Sequence, residues 1–230
     1  MALEHVVDDL APAAQEFAVK ISGSPASELG ELLADKVRYR RWKNQVRMVN
    51  KATKYAQEAG IDPQSIKLTV LTPLLDSAAN EEDESMADRW AALLANAASA
   101  TAAEVSPSFP SVLSRMSPFD ALVFDAVAHA LSHLEGLQAT VIGVNAGAIA
   151  AHYDWPIDDV RFAFEVLLTM GLCGYASANM GGGDANQPQQ GLLGSDRECV
   201  LVTEFGRRFL AACTPPDGNR SMLGGSGPNQ

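Results

Sequence analysis

Leu71–Ala100 reads LTPLLDSAANEEDESMADRWAALLANAASA, and the phase of this stretch decides how the first half of the chain is read. At about 100° per residue, Leu75, Glu82, Met86, Leu93 and Ala97 fall close to one line. Ala79 shares the stripe, and Trp90 and Ala78 flank it. The pattern predicts one amphipathic helix over the whole stretch, with Pro73 in its first turn. One residue disagrees with its place, because Glu82 falls in the apolar stripe. A carboxylate there is costly unless paired. The reading therefore predicts Glu82 buried and bonded to an arginine of a neighbouring helix.

That neighbour lies upstream. Ser27 reads as the N-cap of a helix from Glu28 to about Ala59, stopped at Gly60. Eight of the seventeen Lys and Arg residues fall in Lys36–Lys54, with no acid among them. Lys36, Arg40, Lys43, Arg47, Lys51 and Lys54 recur at helical spacing and form a basic stripe. Val37, Met48 and Tyr55 line one apolar face, and Tyr39, Trp42, Val46 and Val49 a second. A helix apolar on two sides is expected between others. Two uses of the stripe compete: pairing with the acids of Glu81–Asp88, within the chain or between subunits, and binding an anionic partner, whether nucleic acid, the ribosome or anionic lipid. For Glu82 the partners in reach are Arg40, Arg41 and Arg47. Lys36, Arg40, Arg41, Arg47, Lys51 and Glu82 are the candidate interaction or ion-pair residues.

Working outward, residues 1–22 read as helix, with Pro12 interrupting it or starting a second turn. Ser22–Ser27 is a linker. Ile66–Leu71 reads as a strand or as the entry to the next helix. Ser117-Pro118-Phe119-Asp120 has the cap, the proline at the first helical position and the acid at the third that open a helix, which runs to about Glu135. Val141–Val144 is β-prone, and Asn145–Tyr153 a brief helix. Pro156 opens another helix, ended by Gly171. Leu172–Ala176 and Cys199–Val202 read as strands around a glycine-rich loop, and Thr203 caps a last helix to Ala212. The order resembles a winged helix over about Met116–Cys213. The expected fold is mainly α, an N-terminal helical bundle (1–115) followed by a winged-helix-like α+β domain (116–213) and a disordered tail (214–230).

A net charge of −11 and a pI near 4.7 oppose non-specific nucleic-acid binding by the whole molecule. Met116–Gln230 holds five basic and twelve acidic residues, which opposes DNA reading by the Pro156–Met170 helix. Cys173, Cys199 and Cys213 are an odd number without a secretory leader, so reduced thiols in a cytoplasm are expected. The longest uncharged stretch, Gly136–Tyr153, is too polar for a membrane span. His129 and His133 are four apart on one helix, but the intervening Ala-Leu-Ser lacks the glutamate of a zinc-protease helix, and no third ligand is evident. Gly181–Asp184 lacks the residues of a phosphate loop, and no G-x-S-x-G elbow is present. No catalytic residue, metal or cofactor is expected, and the protein reads as a non-enzyme.

Three segments together resemble the abortive-infection alpha family of bacterial proteins: Glu28–Ala52, Ser65–Ala97 and Pro107–Phe124. The most specific piece is an E-x₃-M-x₃-W-A-x-L-L-A-N pattern from Glu82, preceded by the Arg-rich helix. The resemblance covers roughly Gly30–Phe124. It implies a role in abortive phage defence and supplies no catalytic residues. A protein partner or homo-oligomer is expected, with nucleic acid as the alternative through residues 36–54.

Overall fold

The computed structural model describes residues 12–22, 39–99, 105–134, 143–176 and 199–216. The start of the basic run, the linker, the glycine-rich loop and the tail from 217 lie outside the described residues. The chain divides into two compact units. One comprises Met1–Arg115 with Arg208–Gln230, and the other Met116–Arg207.

In the first unit, α1 spans Pro12–Ser22. The basic helix is α2 (Tyr39–Glu58), ended by Gly60 at φ +65. The Leu71–Ala100 stretch is not one helix. It divides into α3 (Leu68–Ala78) and α4 (Glu84–Ala97), separated by a turn. Ile66–Leu71 is thus the entry to a helix, and Pro73 sits inside α3 rather than in its first turn. The stripe Val70, Leu71, Leu74, Leu75 and Ala78 is buried at helical spacing, while Pro73 faces solvent. Water can reach the carbonyl that its missing N–H leaves unbonded.

The break has a local cause. Asp83 adopts an extended backbone and caps α4, its carboxylate accepting from the Met86 N–H at 3.0 Å and the Ser85 hydroxyl at 2.6 Å. The Glu81 carboxylate accepts from the Asp83 N–H at 3.0 Å. Side-chain acceptors for backbone N–H groups compete with helix continuation. Beyond the break, α4 runs through the core. Trp90, Leu93 and Leu94 are fully buried, and Ala91, Ala92 and Ala95 are wholly covered. The pairing of α4 with α2 is the most extensive among the described elements. A short helix α5 (Phe109–Leu113) follows.

The second unit opens with α6 (Pro118–Leu134). Its start is reciprocal: the Asp120 N–H donates to Ser117 Oγ at 3.1 Å, and the Ser117 N–H and hydroxyl donate to Asp120 at 2.9 and 2.6 Å. Then come β1 (Val144–Asn145), α7 (Ala146–Tyr153), α8 (Ile157–Thr169), β2 (Cys173–Tyr175) and β3 (Cys199–Val202). The sheet order is β1-β3-β2, all antiparallel, with Val144 opposite Val200 and Cys173 opposite Val202. The fold is mainly helical with this small sheet in its C-terminal part. Val123, Phe124, Val160, Leu167 and Val200 are buried in this unit.

The last helix is α9 (Glu204–Ala212). Thr203 caps it, accepting from the Gly206 N–H at 2.9 Å and donating to the Gly171 carbonyl at 2.7 Å. Gly206 is required there, because a Cβ would stand 2.1 Å from the Leu172 carbonyl oxygen. The end of α9 belongs to the first unit, where Phe209 is buried edge-on against Phe109 at 5.5 Å.

Candidate functional site: the polar face between α2 and α4

The side chains of α2 that face the break between α3 and α4 do two things. Three of them donate to backbone carbonyls at the end of α3 and in the link that follows: Asn44 to Ala79 at 3.1 Å, Arg47 to Glu81 at 3.2 Å, and Gln45 at 3.1 Å to Leu75, whose carbonyl also accepts the Ala79 N–H at 3.1 Å. Gln45 is buried, so its bond forms out of reach of most water and replaces hydration of a helix end. Cations on the same face then pair with α4. Arg47 reaches Glu84 at 3.1 Å, and Lys51 reaches both Glu84 and Asp88, the latter at 2.6 Å. Tyr55 donates to the same Asp88 oxygen at 3.2 Å.

The electrostatics follow from that crowding. Burial pulls the Lys51 ammonium down, but its hydrogen bonds to Asp88 and Glu84 and their charge outweigh it and hold the group above its ordinary value. The Tyr55 phenol is raised, by burial first and then by the Asp88 carboxylate. The Asp83 carboxyl is held below its usual range by the Ser85 hydroxyl and the Met86 N–H. This arrangement positions α4 and binds two of the stripe's cations within the unit. It brings together no nucleophile and base.

The candidate residues fare differently. Lys36 and the side chain of Arg40 lie outside the described residues. Arg41 is half-buried. Arg47 and Lys51 meet α4 carboxylates, while Lys43 and Lys54 stay exposed. Lys54 pairs with Glu58 at 3.8 Å on its own helix. Glu82 corrects the sequence reading: it is exposed, in the turn before α4, and not on a buried stripe. Taking Leu71–Ala100 as one continuous helix rotated Glu82 inward, and the Asp83 cap resets the phase. Asn44 and Gln45 were missed. Their signal was two adjacent amides interrupting a cationic and apolar helix.

The other candidate clusters can be placed as well. Near α1, Lys20 bridges Asp62 at 3.1 Å and Glu16 at 3.5 Å. These three stand with Phe17, Thr53 and Ile61 around an open cleft of about 420 Å³. Cys173 lies on β2, its thiol pushed up to about 12 by burial, and Cys199 on the adjacent β3. None of the three cysteines is in a disulfide. Among the described residues, no group of three or more His, Cys, Asp or Glu is set to hold a metal. No described helix is long and apolar enough to cross a membrane.

The signature pattern acquires structural roles. Met86 and Trp90 are buried, and so are Leu93, Leu94 and Ala95. Asn96 donates to the Ala212 and Thr214 carbonyls at 2.8 and 2.9 Å, closing the C-terminal end of α9. Such a chain is a two-unit, mainly helical protein whose most distinctive residues build its frame. The family model for abortive infection alpha matches residues 43–213, well over half of the chain. The chain belongs to that family, and membership implies an abortive-infection, anti-phage role. The match begins after Lys36, Arg40 and Arg41 and runs to the end of α9, further than the Gly30–Phe124 resemblance in the sequence. The comparisons with curated proteins and with solved structures give no match.

Proposed function

We propose that this protein acts in bacterial abortive infection by docking other proteins, with no catalytic step of its own and in the cytoplasm. The family match carries the biological setting. Support for docking comes from the second unit, which we read as winged-helix-like. Leu122, Tyr153, Ile157, Phe162 and Tyr175 are five of the six large exposed apolar side chains among the described residues, and all belong to it. Phe162 is 70% exposed on α8, and Asp158, Asp159 and Glu165 are exposed on the same helix. An aromatic side chain left in water beside carboxylates suits a protein partner better than a phosphate backbone.

The test is phage challenge of a sensitive host expressing the chain, measured as plating efficiency over a broad phage panel. Protection lost in Phe162→Ser, with the variant still folded, supports the reading. Unchanged phage yield with the native chain counts against the setting, and full protection by Phe162→Ser counts against docking through α8. A nucleic-acid reading has the exposed Lys43 and Lys54 to rest on, and it requires binding that weakens steeply with salt.

A further inference from the structure

We infer that His129 and His133 form a two-ligand site for a divalent transition-metal ion of the copper or nickel kind on the solvent face of α6. The inference stands apart from the proposed function. Both side chains are exposed, and four residues of spacing put them on one helix face. That spacing alone was compatible with two rings pointing apart. The structure instead turns them together, with ring centroids 4.5 Å apart, planes at 80°, and the two Nε2 atoms 3.1 Å from one another.

An ion about 2.1 Å from each of two nitrogens so placed would see them at an angle of about 95°. That is the angle between adjacent ligands of a square-planar or octahedral ion, and it is narrower than a tetrahedral centre takes. Imidazole pairs in tetragonal geometry suit copper(II) and nickel(II), and copper binds the tighter of the two. In the neutral pair without metal, one Nε2–H donates to the other Nε2. Metal requires both protons on Nδ1, leaving both Nε2 lone pairs free to bind the ion.

The surroundings favour a cation. His133 lies in the last described turn of α6, toward the negative end of the helix dipole. Since no set of three protein ligands is assembled among the described residues, water fills the remaining positions. The ion is therefore exchangeable, with sites open to an added donor such as free imidazole. Bridging two positions one turn apart also stabilises α6, because an ion that binds only the folded helix does so by mass action.

The experiment uses the full chain without an affinity tag, titrated with copper(II) and nickel(II) by calorimetry. The expected result is one ion per chain, with affinity falling about tenfold or more in His129→Ala or His133→Ala. His152→Ala, an exposed histidine on α7, should bind as the native chain does. Electron paramagnetic resonance of the native copper(II) complex should show two coordinated imidazole nitrogens, a readout that needs no variant to fold. The melting temperature should rise with metal in the native chain and not in the double alanine variant. Equal affinity in the native chain and the double variant overturns the site, as does a copper spectrum with one imidazole nitrogen or none.

Discussion

The α2–α4 face of the first unit and the α8 face of the second carry similar numbers of charges and use them in opposite ways. On the first, Arg47 and Lys51 meet Glu84 and Asp88, and the amides beside them donate to the Ala79 and Leu75 carbonyls at the end of α3. On the second, Asp158, Asp159 and Glu165 face water, and Arg161 reaches back to Asp158 at 3.7 Å on the same helix. Charge on one helix thus fixes architecture, and charge on the other stays on an exposed surface. Net charge could not have separated these cases. What separates them, among the described residues, is that the α2 cations meet carboxylates of a second helix while the α8 acids are exposed.

The largest expected effects test whether the two units rest on different kinds of constraint. Trp90 is 1% exposed at the centre of α4, so Trp90→Ala should cost about 3–5 kcal/mol through lost burial and a cavity. Gly206 is constrained by a backbone oxygen instead, with Val202 also 3.0 Å from the added atom. Gly206→Ala should cost about 1–3 kcal/mol through overpacking. Urea denaturation followed by far-ultraviolet dichroism measures both. A Gly206→Ala variant as stable as the native chain would mean that the start of α9 yields easily, and that contrast between the units would fail.

The two units were also unequally legible. In the second, each boundary was set within a few residues by local chemistry: the Ser117–Asp120 box, Asn145 accepting from the Gly147 N–H at 2.7 Å, Gly171 at φ +72 and Thr203 beneath Gly206. Local rules need no partner, so the sequence displays them. In the first, the decisive event was the break at Glu81–Asp83. Alanines on both sides keep a helical period running through it, and that period hid the cap. The carbonyls of Leu75, Ala79 and Glu81 around the break accept from Gln45, Asn44 and Arg47, 30 to 35 residues away. No local pattern announces such a contact, so the candidate site was read for its cations and not for its amides.

A smaller effect is expected from the ion pairs themselves. The Lys51–Asp88 pair is partly open to water, with side chains 26% and 43% exposed. A double-mutant cycle with Lys51→Met and Asp88→Asn should give a coupling of about 0.5–1 kcal/mol at low salt, falling as salt is added. Tyr55 shares the Asp88 oxygen, so the cycle needs Tyr55→Phe as a third arm. A coupling near zero would leave the amides as what holds α2 to α4, and the contrast with α8 would then rest on hydrogen bonds alone.

The smallest effect follows the Asp83 carboxyl, which caps α4. Hydrogen bonds from the Ser85 hydroxyl and the Met86 N–H hold it below the ordinary value of 3.8. In the unfolded chain the carboxyl keeps that ordinary value, so the folded state binds its proton less readily. The stabilisation is complete above the unfolded value and is lost as pH falls through the lower folded one. Asp83→Asn keeps an oxygen to accept from the Met86 N–H and removes the titration. The native chain should therefore exceed this variant in stability near neutrality, with the difference shrinking once pH drops below about 4. Urea midpoints of the pair, compared at matched pH, isolate Asp83 from the other carboxylates because those titrate in both proteins. A difference that stays constant into acid would show that the Asp83 charge contributes nothing to the cap, leaving its geometry as the whole cause of the break between α3 and α4.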